Sequence, residues 1–453
     1  MTLEPTKPYV APSMLTRFRG LNIRSFRDEF EVSLIATAMS ESAVVREIPW
    51  RKANTASSKV GVLPAAAFYG ANGSGKSNVL KAMADMRNAV LNSFRGWPTS
   101  GGTRRKPFRL GPSGSDTPSI FEVEIILEGV LHTYGFELND EIILREWASR
   151  SPNGRHQLMF ERNGDDIEVG SSMRPSLSTA SEIVRANSLL LSTAVALRDS
   201  ELLPLYEWFR RNLLLAEADS RDARQLFTVR LLEDDHRHAQ ILALLMAADL
   251  GIVGVEEIKI DPAFKEKLEQ VAMIFAEGEE TSGEAENAIS FVDGVVGLVH
   301  HGENENVRFD ISDESLGTLV WLGLVGPIVD ALENGSVLLA DELDASLHPR
   351  LVRQVVELFQ SPDTNPRRAQ ILFNSHDVSL LGDTSVERVL GRDQVWFTDK
   401  DAQGSSHLAA LSDMNPRRAE AVGKRYLAGR YGGVPLISRG EFEDAIFSAT
   451  VDA

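Results

Sequence analysis

Gly70-Ala71-Asn72-Gly73-Ser74-Gly75-Lys76-Ser77 has the form G-x-x-x-x-G-K-[ST], and its reading decides the fold. Its three glycines allow positive φ and bare the backbone, so amide N–H groups can wrap a polyphosphate. Leu63 to Tyr69 (LPAAAFY) is a short apolar run ahead of it and predicts a buried strand. From Lys76 the residues KSNVLKAMADMRNAVLNSF carry apolar side chains at helical spacing, at Val79, Met83, Met86, Val90 and Leu91. Strand, glycine loop and helix together point free N–H groups and a positive helix end at phosphate. Gly70, Asn72, Gly73, Ser74, Gly75, Lys76, Ser77 and Asn78 are the candidate binding loop. Within it Lys76 is expected to reach the β- and γ-phosphates, and the Ser77 hydroxyl to ligate Mg²⁺.

A second stretch, Val337-Leu338-Leu339-Ala340-Asp341-Glu342, is an apolar run ending in two carboxylates. Alone, such a pair only marks a chain leaving the core. Paired with the glycine loop, it predicts a buried strand that delivers acid groups to a metal and a water, hence binding and hydrolysis of a nucleoside triphosphate. Leu343-Asp344-Ala345-Ser346-Leu347-His348-Pro349 follows at once, and Ile371-Leu372-Phe373-Asn374-Ser375-His376-Asp377 is a further apolar strand ending in histidine. Upstream, Ser312-Asp313-Glu314-Ser315-Leu316-Gly317-Thr318 opens a helical run.

Phosphate loop, serine–glycine helix start, Asp-Glu strand and strand-terminal histidine occur here in the order used by ABC-type ATPases, and the chain resembles that class. Within it, ESLGT, LLADELDASLHP, FNSHD, QVWFTDK (Gln394 to Lys400) and RYLAGRYGGVP (Arg425 to Pro435) resemble the AAA15/OLD-like group of bacterial ATP-binding proteins, relatives of the SMC-like ATPase heads. The resemblance implies an α/β fold: a P-loop NTPase of ABC type, with a mixed sheet, an antiparallel β subdomain and a helical insertion. It also implies residue roles. Asp341 would hold Mg²⁺ through water, Glu342 would act as general base on the attacking water, and His376 would contact the γ-phosphate. Ser315 and Gly317 would form a signature turn whose helix N-terminus faces the γ-phosphate of a second subunit. Asp344 would lie in the loop crossing between the two sites. ATP and Mg²⁺ would then be sandwiched in a head-to-tail homodimer. Members of the group act in phage defence with a nuclease or other toxic effector. No segment after Pro435 resembles a fused nuclease, so a separately encoded effector is expected. Transport relatives place a glutamine between strands of the first lobe as a metal and water sensor; Asn92 to Trp147 contains none, and no such residue is assigned. The alternative is an SMC-like or recombination-mediator ATPase acting directly on DNA, which DNA-stimulated, salt-sensitive hydrolysis would mark.

Other readings of the same residues are weaker. Ser375-His376-Asp377 does not make a hydrolase relay, because neighbours on a strand point to opposite faces. His236, His238, His300 and His301 lack the cysteines that would complete a zinc set, and His348 before Pro349 is most simply a helix start.

Composition bounds the picture. The 453 residues are enough for two or three domains with a proper core. The absence of cysteine excludes disulfides and thiol nucleophiles and agrees with a reducing cytoplasm, the expected location. No apolar run is read as reaching the ~20 residues of a spanning helix, so no membrane partner is expected. Net charge is −18, so nucleic acid is a possible partner that charge does not indicate. Arg104-Arg105-Lys106 with Arg109, Arg210-Arg211, Arg367-Arg368 and Arg417-Arg418 are the candidate basic groups, with solvated surface as the default.

Four segments are expected: a flexible tail (1–13), an N-terminal lobe with the phosphate loop and a β-meander (14–170), a mainly helical insertion (171–304), and a C-terminal lobe with the signature, acidic strand and histidine (305–453). Leu15 to Phe26 and Glu29 to Ile35 read as opening strands. Ile120 to Leu127, Leu131 to Leu138 and Ile142 to Ser149 alternate as a meander, which His156 to Phe160 and Ile167 to Val169 extend. Ser181 to about Leu250 reads as helical, without sustained heptads. Val253 to Ile260 and Ile289 to His300 read as strands flanking a helix and an acidic loop.

Overall fold

The computed structural model describes residues 13–50, 58–111, 116–171, 173–217, 220–257, 296–382, 388–417 and 420–434, with 438 and 440. Residues 1–12, the helix expected at 262–277 and the acidic loop expected at 278–287 lie outside the described residues, as do Arg418 and Pro435.

The chain opens with strands β1 (Ser13–Leu21) and β2 (Phe30–Ser33), then the antiparallel pair β3 (Arg46–Trp50) and β4 (Ser58–Val62). Next, β5 (Ala65–Gly70) leads into helix α1 (Lys76–Asn92). The meander comprises β6 (Ser119–Leu127), β7 (Val130–Leu138), β8 (Ile143–Ser151), β9 (Gln157–Asn163) and β10 (Asp166–Val169). Helices α2 (Arg174–Ile183), α3 (Leu190–Ala196) and α4 (Leu203–Glu207), then a π-helical turn (Trp208–Asn212), precede β11 (Leu213–Ala216). Helices α5 (Arg221–Leu231) and α6 (Asp235–Ala247) precede β12 (Ile252–Glu257), β13 (Val296–His300) and β14 (Val307–Asp310). The remainder runs α7 (Leu316–Asn334), β15 (Val337–Ala340), α8 (Pro349–Gln360), β16 (Gln370–Asn374), β17 (Val395–Lys400), β18 (Ser406–Ala410) and α9 (Val422–Leu427).

A six-stranded sheet carries the phosphate loop, in the order β11-β15-β16-β5-β17-β18; all neighbours are parallel except β17 and β18. Its strands are apolar on both faces, as a sheet covered on both sides requires. On β5, Ala65, Ala67 and Tyr69 join one core, while Ala66 and Phe68 join the other. The first core lies under α5, α6, α7 and α8. The second is shared with α1 and with a seven-stranded antiparallel sheet, ordered β10-β9-β8-β7-β6-β1-β2. The parallel sheet is therefore the middle layer. Gln370, 1 % exposed, rivets the two sheets: its side chain accepts from Leu15 N–H at 2.7 Å and donates to Leu15 O and Leu63 O. At the side, the Arg46 guanidinium donates to Phe359 O and Gln360 O, where the end of α8 leaves carbonyls without intrahelical partners.

Several expectations shift. The first strand ends at Leu21, not Phe26, because Asn22 and Arg24 take left-handed conformations (φ 51° and 54°). The helical reading of 181–250 misses β11, whose LLLA pairs in register with Val337 to Ala340. Helix α7 has the length and mean hydropathy of a membrane span, against the expectation that no run does, yet 67 % of that window is buried inside the fold. Ser315 caps its N-terminus and Gly335, at φ 68°, ends it.

Candidate functional site

All five parallel strands end on the same side of the sheet, and the candidate residues gather there. Between β5 and α1, Gly75 (φ 113°) is the N-cap residue of α1 and Gly73 is also left-handed (φ 76°). The loop fits tightly against its neighbours. A Cβ on Gly70 would collide with Thr398 Oγ1 and Ser74 Oγ, and one on Gly75 with Ser406 Oγ. Ser74 Oγ is 2.6 Å from Thr398 Oγ1, so β17 braces the loop from one side. Asn78 donates to Ser25 Oγ at 2.8 Å and Ser406 donates to the same oxygen, tying the turn after β1 to the loop. Asn72 and Gly73 remain exposed at the tip.

Lys76 is 7 % exposed, and its Nζ donates to Gly70 O (2.9 Å) and Ala71 O (3.0 Å). Burial pulls its pKa down, against the pull of Asp344, Glu342 and Asp341, which favour the charged form. His376 is also shifted down, first by burial and then by the Lys76 charge, with Asp344 and Glu342 opposing. One lysine, one histidine and three carboxylates thus sense one another across the strand ends.

Strand order explains how. Between the phosphate-loop strand β5 and the acid strand β15 lies β16, and the residue at its end, Asn374, joins the two. Asn374 Nδ2 donates to Ser77 Oγ (3.0 Å) and to Asp341 Oδ1 (2.5 Å), and its Oδ1 accepts from Glu342 N–H. Glu342 has φ 53°, a conformation rare for a residue with a Cβ. Asp344 accepts from His376 N–H at 2.8 Å, docking the loop after the acid strand onto the end of β16. Ser315 and Gly317 border this loop: a Cβ on Gly317 would lie 3.0 Å from Ser346 O. The Ser315 hydroxyl accepts from Thr318 N–H, and Leu316 beside it is 52 % exposed.

Two polar residues here were not singled out from sequence. Asn374 stands within FNSHD but is given no role there, since an asparagine ending an apolar strand is ordinary. Glu217 follows β11, the strand that the helical reading overlooked. Ala216 pairs with Ala340, and Asp341 N–H donates to Ala216 O at 3.0 Å, so Glu217 begins beside the acid pair. Burial raises the Glu217 pKa, opposed by Lys81 and Arg24 and reinforced by Asp341 and Asp85.

Several other candidates are occupied elsewhere. His348 caps α8 by accepting from Arg350 N–H. His236 pairs with Glu333 (3.0 Å) and His300 with Glu314 (2.7 Å). Arg105 is bound to Asp140, and Arg210 and Arg211 to Glu207. Among the described residues no three His, Cys, Asp or Glu side chains group so as to hold a metal unaided. The hydroxyl and carboxylate that Asn374 gathers are nevertheless hard oxygen donors. They suit Mg²⁺, which takes one or two protein ligands and completes its shell with water and substrate phosphate.

The family profile described as "AAA domain, putative AbiEii toxin, Type IV TA system" matches residues 65–382. The chain belongs to this AAA domain family. The match runs from the first residue of β5 past the end of β16, so it contains every candidate residue of the site. No curated protein matches the sequence. Among the solved structures that are remotely similar are three heads. One is an Smc head bound to the C-terminal winged-helix domain of ScpA (12 % identity, 88 % of this chain and 99 % of that one, TM-score 0.43). The others are an SMC head domain from Thermotoga maritima (11 %, 87 % and 98 %, TM-score 0.37) and an Smc head with an extended coiled coil bound to the C-terminal domain of ScpA from Pyrococcus furiosus (12 %, 89 % and 98 %, TM-score 0.36).

Proposed function

We propose that this protein is an ABC-type ATPase of the AAA15/OLD-like group, which binds ATP with Mg²⁺ at the ends of β5, β15 and β16 and hydrolyses it. The observation that carries this reading is the convergence of Ser77 with Asp341 and Glu342, which the intervening strand end ties into one polar network, with Lys76 in electrostatic reach of the same carboxylates. Backbone amides of residues 71–77 cradle the phosphates, with the N-terminus of α1 behind them. Lys76 carries positive charge to the β- and γ-phosphates. Ser77 and Asp341 hold Mg²⁺, which when bound neutralises charge on the transferring phosphoryl group. Glu342 takes the proton of the attacking water, and His376 donates to a γ-phosphate oxygen.

The turn at Ser315 and Gly317 opens a 19-residue helix and borders the loop of Asp344. A γ-phosphate bound by a second copy is its natural ligand, so the working unit is a homodimer that closes over ATP. In this reading residues 14–170 and 305–453 are the two lobes, with 171–304 inserted between them. The family description names an AbiEii toxin of a type IV toxin–antitoxin system. A switch or scaffold in an anti-phage system, controlling a separately encoded effector, is compatible with that description and follows the sequence resemblance. The test is size-exclusion chromatography of Glu342→Gln with ATP and Mg²⁺. A stable dimer that wild type forms only transiently is expected, and a protein that stays monomeric while binding ATP would contradict the sandwich.

A further inference from the structure

Asn374 uses every hydrogen-bonding group of its side chain, and each bond reaches a different part of the candidate site. Its two N–H donors go to the Ser77 hydroxyl and the Asp341 carboxylate, and its oxygen accepts from Glu342 N–H. The amide orientation is therefore fixed: turned over, its NH₂ would face the Glu342 N–H and its oxygen the Asp341 carboxylate. The backbone is fixed as well, because β16 is hydrogen-bonded to a parallel strand on each side. With 1 % of its surface exposed, the side chain has no other place to go.

We propose that Asn374 is a positioning residue, which holds the two side chains of the magnesium site, Ser77 as ligand and Asp341 acting through water, at their working separation and holds the general base Glu342 in its left-handed backbone conformation. This rests on the ATPase assignment and adds to it a residue that sets metal affinity and turnover without touching nucleotide. The two effects share one planar group. Ser77 comes from α1 and Asp341 directly follows β15, and a partner that orients metal-site side chains from behind tunes the affinity of the site. Glu342 at φ 53° lies where a non-glycine residue stays only if its surroundings hold it, and the Asn374 carbonyl bonds the very N–H whose position follows from that φ. Freed from that bond, the backbone relaxes and the carboxylate swings away from the attacking water. Lys76 and the loop amides at 71–75 receive no bond from Asn374, so contacts to phosphate that need no metal are independent of it.

Binding of a fluorescent ATP analogue in EDTA, its dependence on added Mg²⁺, and steady-state hydrolysis would be measured for wild type, Asn374→Ala and Asn374→Leu. Leucine keeps the branching of asparagine at Cγ and removes the bonds but is bulkier, so alanine and leucine together separate the loss of the bonds from truncation and from crowding. Metal-free binding is expected to be unchanged in both variants. The Mg²⁺ concentration for half-maximal effect should rise, and kcat fall, each by about 10–100-fold, with KM for the metal–nucleotide complex at saturating Mg²⁺ little moved. A leucine variant with wild-type Mg²⁺ dependence and turnover would overturn the proposal. So would loss of metal-free binding in step with turnover, which marks a packing role. If wild type itself hydrolyses nothing, the ATPase reading falls separately, and the Mg²⁺ dependence of nucleotide binding alone decides the role of Asn374.

Discussion

Two buried carboxylates, Glu146 in the antiparallel sheet and Asp341 at the end of the parallel one, share a chemistry and differ in what surrounds them. Glu146 is fully buried, accepts from Tyr134 Oη–H and from Leu190 and Leu191 N–H, and lies beside Arg162, itself 1 % exposed. Those amides open α3, whose preceding residue, Leu189, has no side-chain acceptor, so a strand carboxylate does the capping. Every bond Glu146 makes ends within the fold. Asp341 accepts one side-chain bond, from Asn374, and is coupled electrostatically to Lys76, to Arg224 and to a second carboxylate, Glu217, on other elements. A buried carboxylate whose bonds are completed internally supports structure. One that is gathered with like charges at converging strand ends is set up for a ligand.

Substitutions can break or sharpen that contrast. The largest effect is expected from Glu342→Gln, which should lower kcat by about 10²–10⁴-fold while nucleotide binding and melting temperature hold. Wild-type turnover in that variant would remove Glu342 from the chemistry. Lys76→Ala should weaken ATP binding by about 10–100-fold, the worth of one charge-assisted hydrogen bond, without loss of stability. Unchanged affinity by calorimetry would mean that the glycine loop does not hold phosphate. Glu146→Gln should do the reverse: it leaves an amide N–H of α3 facing NH₂, costs about 1–3 kcal/mol in urea unfolding, and spares nucleotide affinity of the folded protein. A variant of normal stability with altered affinity would erase the distinction between the two carboxylates.

The smallest effect concerns pH. The His376 pKa is lowered in the fold by burial and by Lys76, so between that value and the ordinary 6.5 the unfolded chain binds more protons than the folded one. The contribution is complete above pH 6.5 and is lost as pH falls through the window below it. NMR titration should place the His376 midpoint under 6.5, and His376→Gln should flatten the acid side of the stability profile. A midpoint at or above 6.5 would separate this imidazole from Lys76.

Much of this was legible in the sequence because the phosphate loop and its strand and helix are local. The residues LPAAAFY and the spacing of Val79, Met83, Met86 and Val90 predict β5 and α1 with no reference to the rest of the chain. The meander was legible for the same reason, through alternation broken at Glu128-Gly129, both left-handed. Short apolar segments were not. LLLA in β11 sits in a leucine-rich stretch that satisfies helical and strand periods equally, and only pairing with β15 decides between them. The β3–β4 pair was obscured by Pro49 and Gly61, which weaken a strand pattern. Asn374 was illegible in principle. Its meaning depends on β16 lying between β5 and β15, a fact of strand order that no local pattern encodes.

The most direct measurement is a crystal structure with a non-hydrolysable ATP analogue and Mg²⁺. The account predicts phosphates wrapped by residues 70–77, with the cation at about 2.0–2.1 Å from Ser77 Oγ and joined to Asp341 through water. A nucleotide bound elsewhere, or a cation that engages neither Ser77 nor Asp341, would contradict it.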